Sequence, residues 1–288
     1  EKVNSLNGSS ADTNAVHQIH LSNIQLGEKI NDTGNSCVYV CYVDGWQCAM
    51  KEIRHSHGAP KKLLSEISIL TKLPYHPNVV RYLFSQTAKN SVRLFMTMYT
   101  CNLADLLQAR WASLEAGQGG YFSVCNIASF IYDITKGLRF LHENRVIHRD
   151  IKPANIFVIR SGRGEISSLV LGDFDSAKEV EESGVAHTRI GTPLFMAPEV
   201  LSSDVMEYSF SSDIYSVGLV IFEMITLRHP HFDINPSKVG AAVFQGRKPT
   251  LPKDLPEDFA PLIALYEHCI QKDPNDRCTL MGMQEVVL

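Results

Sequence analysis

The sequence lacks several features that would place it in a class at once. Its longest apolar-rich stretch, residues 217–227, contains Glu223 and is shorter than the roughly 20 apolar residues of a transmembrane helix. No charged-then-apolar signal peptide opens the chain. There is no basic excess, since 27 Lys and Arg residues face 31 Asp and Glu residues, which gives a net charge of −4. We therefore expect neither a nucleic-acid partner nor a membrane.

The cysteines show no spacing typical of a disulfide framework or a zinc site. They number seven, an odd count without a CxxC pair: Cys37, Cys41, Cys48, Cys101, Cys125, Cys269 and Cys278. Such a set favours reduced thiols, and from this we expect a cytoplasmic protein. Two histidine pairs, His55/His57 and His229/His231, lack Cys or acidic partners at metal-site spacing, so we expect no metal there.

The composition is that of a folded protein. Of 288 residues, 44% are apolar and 20% are charged, which excludes collagen, a long coiled coil and wholesale disorder. The length fits one large domain or two smaller lobes with sizeable cores. Residues 1–20 are polar and aperiodic, and we interpret them as a flexible lead-in.

Residues 21–102 have the pattern of a small sheet that carries one helix. The β-rich runs are residues 38–43, 46–53, 79–84 and 92–99. The first two flank Asp44-Gly45, a pair that favours a two-residue hairpin. Pro60 can open a helix, because the N–H group that proline lacks is not needed at the first helical position. The apolar residues that follow it recur at helical spacing, at Leu63, Ile67 and Leu70.

Residues 103–288 have a helix-rich pattern. Ser123 is a suitable N-cap for a long apolar stripe with intervals of three and four, formed by Val124, Ile127, Ile131, Ile134, Leu138 and Leu141. This stripe predicts a helix of about five turns. A second apolar helix is predicted over about 213–226, so the chain as a whole belongs to the α+β class.

The densest chemical pattern is His148-Arg149-Asp150, with Lys152 and Asn155 shortly after it. This segment resembles the catalytic loop of the eukaryotic protein kinases. Phosphoryl transfer needs a carboxylate that takes the proton of the acceptor hydroxyl, which the resemblance assigns to Asp150. It also implies that Lys152 supplies positive charge and favours Ser/Thr substrates, and that Asn155 offers an oxygen to a metal.

Asp173-Phe174-Asp175 stands where the family has its metal-binding Asp-Phe-Gly. The resemblance makes Asp173 the carboxylate for Mg²⁺. Asp175 replaces a glycine, which reaches positive φ without steric cost, whereas Asp does so only at some cost. We therefore expect the balance between active and inactive states of this loop to be biased.

Residues 48–53 resemble the family's Val-Ala-Ile-Lys strand, with Lys51 on the same strand face as Ala49. Glu66 lies on the apolar side of the predicted helix, where a desolvated carboxylate needs a cation. The resemblance implies that Lys51 holds the α- and β-phosphates of ATP and that Glu66 orients it.

The phosphate-covering loop departs from the family pattern. The family pattern is Gly-x-Gly-x-x-Gly-x-Val. When its last residue is aligned with Val38, the three glycine positions are occupied by Asn31, Thr33 and Ser36, and only Gly34 is nearby. Side chains there hinder close approach of backbone N–H groups to phosphate, so we expect weaker or slower use of ATP. The nucleotide-binding residues implied by resemblance are Lys51, Ile30, Gly34, Val38, Ala49, Thr97, Met98, Thr100 and Phe157, with residues 98–100 as the hinge.

Residues 191–199 resemble the end of a kinase activation segment, with Thr192 beside the catalytic residues. The family pattern pairs Glu199 with Arg277 and uses Asp213 to brace the catalytic loop. It also implies that Arg149 meets a phosphate on this segment, placed by an upstream kinase or by trans-autophosphorylation. Thr188 is the preferred acceptor, followed by Ser176 and Ser183.

The resemblance covers residues 21–288 and implies a bilobal α+β kinase fold. Its N-lobe is residues 21–102 and its C-lobe residues 103–288, with ATP between them. The implied reaction is transfer of the γ-phosphoryl group of ATP to Ser or Thr of a protein substrate, with Mg²⁺. The alternatives are a pseudokinase, which binds nucleotide but turns over little, and a small-molecule kinase of similar architecture. The short turn at Asp44-Gly45 resembles the tyrosine-kinase-like branch.

Overall fold

The computed structural model describes residues 23–32, 36–54, 61–88, 90–180, 185–187, 192–201 and 207–288. The predicted lead-in, Pro60, Thr188 and Ser183 lie outside these ranges. The chain divides into two compact units. One comprises Glu1–Ala59 and Tyr82–Thr97, and the other comprises Pro60–Arg81 and Met98–Leu288. The predicted lobe boundary near residue 102 stays a prediction, and the helix after position 60 groups with the second unit.

The first unit is a five-stranded antiparallel sheet with strand order β1-β2-β3-β5-β4. The strands are β1 (Ile24–Asp32), β2 (Ser36–Val43), β3 (Trp46–Arg54), β4 (Tyr82–Ala88) and β5 (Ser91–Met96). The predicted hairpin turn is confirmed, because Asp44 and Gly45 both have positive φ, at 49° and 84°. Such a turn matches the twist of the strands that it joins. One face of the sheet buries a core that includes Cys41, Met50 and Phe95.

Among the described residues, the second unit contains eight α-helices and three short strand pairs. Its elements are α1 (Lys61–Lys72), α2 (Leu103–Glu115), α3 (Val124–Glu143), β6 (Val146–Ile147), β7 (Ile156–Arg160), β8 (Ile166–Leu171), β9 (Lys178–Glu179), β10 (Val185–His187), α4 (Pro198–Leu201), β11 (Glu207–Ser209), α5 (Phe210–Thr226), α6 (Pro236–Phe244), α7 (Ala260–Cys269) and α8 (Leu280–Val287). The strands pair as β6 with β9, β7 with β8, and β10 with β11.

Helices α3 and α5 form the centre of this unit. The Ser123 hydroxyl accepts the N–H of Asn126, which confirms the predicted cap of α3. The apolar stripe of α3 is buried, and α5 is buried along almost its whole length. Burial on all sides explains why the apolar run of α5 shows no polar face. Within the described ranges, no helix has both the length and the apolar character needed to cross a bilayer.

One predicted strand begins later in the structure than its apolar run suggested. Val79 lies in the second unit, where it bridges to Leu171, and β4 starts only at Tyr82. The apolar run from position 79 therefore has two parts. Val79 packs against β8, whereas the residues from Tyr82 onwards belong to the five-stranded sheet. Periodicity cannot separate the two cases, because both bury the same residue types.

Gly137 in α3 gives a sharp test of this packing. A Cβ at Gly137 would lie 2.5 Å from the carbonyl oxygen of Asn78, which already accepts the N–H of Leu171 at 2.9 Å. We expect Gly137→Ala to lower the free energy of unfolding by about 1–3 kcal/mol, because backbone must move. The control is Gly240→Ala in α6, where the nearest atom to a new Cβ is 3.8 Å away. That change should stabilise by up to about 1 kcal/mol. Equal effects in urea unfolding would contradict the packing described.

Candidate active site

A buried carboxylate shapes the loop that follows β6. Asp213, near the start of α5, is 1% exposed and accepts the backbone N–H groups of His148 and Arg149, both at 2.9 Å. Arg149 has a φ of 66°, a strained value for a residue with a side chain, so these two bonds hold a conformation that the chain disfavours. The predicted brace of the catalytic loop is therefore present.

His142 completes the surroundings of this carboxylate. Its Nε2 lies 2.9 Å from Asp213 Oδ2. Burial alone would raise the pKa of Asp213, but the hydrogen bond and charge of His142, with the N–H of His148, hold that pKa below its usual range. His142 could not be identified from sequence, because its place beside Asp213 arises only when α3 and α5 pack together.

Both oxygens of Asp150 are saturated by donors. Oδ1 accepts from the backbone N–H of Thr192 at 3.0 Å and from its hydroxyl at 2.8 Å. Oδ2 accepts from Lys152 Nζ at 2.7 Å and from Asn155 Nδ2 at 2.9 Å. Burial would raise the pKa of Asp150, yet the bonds from Lys152 and Thr192 lower it. The carboxylate is thus ionised and fixed in direction by four donors.

Lys152 links the catalytic loop to the activation segment. Its ammonium group also donates to Thr192 Oγ1 at 2.8 Å. Asp150, Lys152 and Thr192, which lie up to 42 positions apart in the chain, therefore form one charged cluster. A carboxylate and an ammonium group side by side provide a proton acceptor and a positive charge, the two groups that phosphoryl transfer to a hydroxyl requires.

An antiparallel hairpin brings Asn155 and Asp173 to one place. Strand β7 begins just after Asn155, strand β8 ends two positions before Asp173, and Ile156 pairs with Leu171. The N–H of Gly172 then donates to the carbonyl of Asn155 at 2.9 Å. The two predicted metal ligands therefore stand at the same end of one hairpin.

The chemistry of these two residues fits Mg²⁺. Asn155 uses its Nδ2 atom for two bonds to Asp150, at 2.8 Å to the carbonyl and 2.9 Å to the carboxylate. Its side-chain oxygen takes no part in these two hydrogen bonds and can act as a metal ligand. An amide oxygen and the Asp173 carboxylate are ligands that Mg²⁺ prefers. Within the described ranges, no group of three or more His, Cys, Asp or Glu residues could hold a metal.

The strained residue in the Asp-Phe-Asp segment is the first one. Asp173 has a φ of 58°, whereas Asp175 lies in a 3₁₀ turn, Phe174–Ser176, and is absent from the positive-φ residues of the described chain. In this conformation Asp175 carries no left-handed strain, so the steric argument from the missing glycine does not apply here. Phe174 is buried against the His148 ring, with centroids 5.3 Å apart. Whether the loop balance is biased stays a prediction.

Arg149 is buried rather than directed towards solvent. Its side chain is 7% exposed, its Nε donates to the Ser176 carbonyl, and its guanidinium carbon lies 5.5 Å from the centroid of the Tyr208 ring. Tyr208 could not be identified from sequence, since no local pattern distinguishes it. Ser176 is itself buried, which makes it a poor acceptor in this conformation, and the predicted pairing with phosphorylated Thr188 lies outside the described residues.

Phe157 lies in β7, within the second unit. Its ring stacks on Tyr99 with centroids 5.2 Å apart, and the next residue, Val158, donates to the Cys101 carbonyl. The predicted hinge residues Met98 and Thr100 flank Tyr99, so they lie beside β7. A Cβ at Gly172 would come within 2.4 Å of the Phe157 ring, so glycine is required there.

The predicted nucleotide-binding residues of the first unit share one sheet region. Lys51 is 8% exposed and pairs with Val38 in register, and Ala49 lies on the same face of β3. Ile30 in β1 is 50% exposed, and Thr97 ends this unit. Gly34 and Thr33 lie outside the described residues. Glu66 belongs to α1, but its side chain is not described, so its pairing with Lys51 stays a prediction.

The predicted pair of Glu199 and Arg277 is present. Arg277 donates from two nitrogens to the two carboxylate oxygens, at 2.7 and 2.6 Å. The Arg277 side chain is fully buried, and it also donates to the carbonyls of Ser211 and Gln271. Planar, bidentate geometry of this kind is specific to Arg. The pair fastens the end of the activation segment to the helical unit.

Removing Arg277 tests this attachment. We expect Arg277→Met to lower the free energy of unfolding by about 3 kcal/mol, because it leaves a largely buried carboxylate without its cation. The control is Lys72→Met, which breaks an exposed pair with Glu179 (2.9 Å, side chains 61% and 51% exposed) and should cost at most about 1 kcal/mol. Comparable losses for both variants in urea unfolding would contradict the assignment.

Two histidines considered as metal candidates have separate structural surroundings. His229 Nδ1 lies 2.9 Å from Glu223 Oε1, and this hydrogen bond raises the pKa of His229. His231 is 1% exposed, and no described residue provides a hydrogen-bond partner for either ring nitrogen. Burial lowers the pKa of His231, which keeps the ring neutral in the folded state.

Protonation of His231 should therefore weaken the fold. The unfolded chain binds this proton at a higher pH than the folded chain does, so stability is full above about pH 6.5 and falls as the pH drops below it. We expect His231→Phe to lose less free energy of unfolding than the wild type between pH 7.5 and pH 5.5. At pH 7.5 the removal of two unpaired nitrogens is opposed by the left-handed φ of 58° at this position, so the test compares how steeply the stability of each protein changes with pH. The exposed His268→Gln serves as control, and identical pH profiles for all three proteins would refute this account.

Comparison with known proteins agrees with the geometry. The profile of the family described as "Protein kinase domain" matches residues 24–287. "Kinase and exchange factor for Rac B" of Dictyostelium discoideum is 35% identical over 268 residues, which is 89% of this chain and 23% of that protein. "Mitogen-activated protein kinase kinase kinase 1a" of Physcomitrium patens is 33% identical over 77% of this chain and 27% of its own length. "Germinal center kinase 3" of Caenorhabditis elegans is 33% identical over 71% of this chain and 36% of its own length.

The chain therefore spans about a quarter to a third of these relatives. A family profile that covers nearly the whole chain, together with the Asp150 cluster, the β7–β8 hairpin and the Glu199–Arg277 pair, leads to one conclusion: the chain belongs to the protein kinase domain family.

Proposed function

We propose that this domain is a Ser/Thr protein kinase that transfers the γ-phosphoryl group of ATP to a hydroxyl of a protein substrate. The observation that carries the proposal is the cluster around Asp150, in which Lys152, Asn155 and Thr192 each donate to one buried carboxylate. Four donors fix a proton acceptor in direction. A purely structural carboxylate would not need a lysine that also contacts the activation segment.

The reaction follows from the residues of this cluster. The substrate hydroxyl oxygen attacks the γ-phosphorus, the bond to the β-phosphate oxygen breaks, and ADP leaves. Asp150 receives the hydroxyl proton late in the step, since its low pKa makes it a weak base until the oxygen has begun to bond to phosphorus. Lys152 offsets the negative charge that develops on the transferring group. Mg²⁺, held by Asp173 and Asn155, would neutralise phosphate charge when bound.

For the nucleotide we propose the residues that the family pattern implies. Lys51 binds the α- and β-phosphates and Glu66 orients it, while the remaining contacts come from Ile30, Gly34, Val38, Ala49, Thr97, Met98, Thr100 and Phe157. Asn31 and Ser36 occupy glycine positions, and Asp32 next to them adds a negative charge that is offset by Lys29 at 2.7 Å. This supports the expectation of weaker or slower ATP use, because close backbone approach to phosphate is hindered.

For the substrate we propose Ser or Thr hydroxyls. Lys152 and Thr192 lie beside Asp150 and are joined at 2.8 Å, an arrangement that favours a short side chain over the longer reach of Tyr. The names of two relatives, a mitogen-activated protein kinase kinase kinase and a germinal center kinase, support a protein as the acceptor. Control by an upstream kinase or by trans-autophosphorylation at Thr188, and a cytoplasmic location, remain predictions from the sequence.

The decisive test replaces Asp150 with Asn and measures incorporation of phosphate from Mg-ATP into a generic Ser/Thr protein substrate. We expect transfer to fall by two to four orders of magnitude, because the proton acceptor is lost while the shape of the side chain is kept. Asp254→Asn, at an exposed position outside the cluster, is the matched control and should keep wild-type activity.

Nucleotide binding is measured on the same proteins. If wild type and Asp150→Asn both bind Mg-ATP and neither transfers phosphate, the domain is a pseudokinase and the proposal is wrong. If transfer goes mainly to Tyr residues, the assignment of Lys152 and Thr192 as determinants of a Ser/Thr acceptor is wrong.

A further inference from the structure

Two thiols meet at the end of α7, outside the catalytic cluster. Cys269 is the last residue of α7 and is fully buried, while Cys278 is partly exposed. Their sulfur atoms lie 3.3 Å apart, and Met283 Sδ lies 3.9 Å from Cys269 Sγ. This contact could not be predicted from sequence, because the two cysteines lack the close spacing of redox motifs.

The chain between them folds back on itself. A 3₁₀ turn, Pro274–Asp276, reverses its direction, and the N–H of Cys278 then donates to the His268 carbonyl at 3.3 Å. Cys269 is held from behind by α5, since a Cβ on Gly218 would lie 2.6 Å from the Cβ of Cys269. One sulfur is therefore fixed, and the other lies on a segment at the surface.

The two thiols differ in acidity. The hydrogen bond between them lowers the pKa of Cys278, against the opposing effect of its partial burial. The same bond, reinforced by deep burial, raises the pKa of Cys269. Cys278 is thus the thiol that more readily becomes a nucleophilic thiolate, and Cys269 is the thiol that keeps its proton.

We propose that Cys278 and Cys269 form a redox modification site, in which hydrogen peroxide converts the two thiols into an intramolecular disulfide. The Cys278 thiolate attacks one peroxide oxygen, the O–O bond breaks, and the products are a Cys278 sulfenic acid and hydroxide. Cys269 sulfur then displaces the hydroxyl group from Cys278 sulfur as the S–S bond forms. The thiol proton and that hydroxyl leave as water. In total, two thiols lose two electrons and two protons, and peroxide is reduced to two waters.

The site is adjacent to a structural anchor. Arg277, which holds Glu199 through two short bonds, directly precedes Cys278. A disulfide needs sulfurs about 2 Å apart, closer than the 3.3 Å observed, so closing the bond pulls the Cys278 side chain towards Cys269 and puts strain on the backbone that joins it to Arg277. Oxidation at this site therefore acts on the attachment of the activation segment.

The test uses the wild-type chain treated with hydrogen peroxide, quenched with catalase and alkylated. Trypsin cuts after Lys253, Lys272 and Arg277, so the peptides 254–272 and 278–288 stay joined only if the disulfide is present. We expect this joined peptide to appear with peroxide and to vanish with dithiothreitol. Peroxide that oxidises Cys125, an exposed cysteine, without producing the joined peptide would overturn the proposal.

Two single variants separate the roles of the thiols. In Cys269→Ser, the Cys278 sulfenic acid has no resolving thiol and should accumulate as an adduct with dimedone, at least several-fold above wild type. In Cys278→Ser, Cys269 should remain reduced. The reverse pattern, with oxidation at Cys269 in the absence of Cys278, would refute the assigned order. If Cys269→Ser does not fold, the order of reactivity is measured on the wild type from the rate at which maleimide labels each thiol. The proposal requires that Cys278 is labelled before Cys269.

The chain carries an internal control. Cys41 and Cys48 are cross-strand partners in the sheet, but both are buried, and burial raises the pKa of Cys48 to about 11. The same peroxide treatment should leave this pair reduced. If Cys41 and Cys48 oxidise as fast as Cys269 and Cys278, the selectivity that the geometry implies is absent and the proposal fails.

One consequence for activity rests on the proposed kinase function. In protein that passes the Asp150→Asn comparison, peroxide should lower phosphate transfer several-fold, and dithiothreitol should restore it. Cys278→Ser should resist the loss. Formation of the disulfide without any change in transfer would refute the link to Arg277. The peptide measurement needs no turnover, so its outcome stays distinct from that of the kinase test.

Discussion

The catalytic loop depends on one buried carboxylate. Asp213 gives both its oxygens to the backbone of a turn in which Arg149 has a left-handed φ. Without those acceptors, two N–H groups would be buried unpaired and the strained residue would relax. Asp150 follows Arg149 directly, so its direction is fixed by an acid on a helix more than sixty positions later in the chain. The backbone at Asp150 is thus positioned by the core of the second unit.

The β7–β8 hairpin provides the second constraint. Its ladder fixes the spacing between Asn155 and Gly172, and the ring of Phe157 leaves room for no side chain at Gly172. Asp173, immediately afterwards, takes a positive φ because the chain must leave the hairpin and turn at once into the 3₁₀ turn that buries Phe174. Register and packing together place Asn155 and Asp173, the two proposed oxygen ligands, at one end of the hairpin.

Patterns that are local in sequence could be predicted, and contacts made by tertiary packing could not. The cap at Ser123 and the turn at Asp44-Gly45 need only neighbouring residues, and both are confirmed. The approach of Tyr208 to Arg149 joins β11 to the catalytic loop and leaves no periodic signal. The late start of β4 escaped detection because Val79 has the residue type of a strand but lies in the second unit, where it bridges to Leu171. The family resemblance supplied the site residues that composition and spacing alone would have left as ordinary surface charges.

The far end of the β7–β8 hairpin differs from the end beside Asn155 and Asp173. There the chain reverses through Ser161 and Gly164, closed by two backbone bonds of 2.8 Å and exposed along most of its length. The hydrogen bonds between β7 and β8 fix the pairing of their residues. Inserting residues at this tip therefore leaves the position of Asn155 unchanged. The tip is therefore a natural place to lengthen the polypeptide or to attach a reporter group, at a distance of a whole strand from the chemistry.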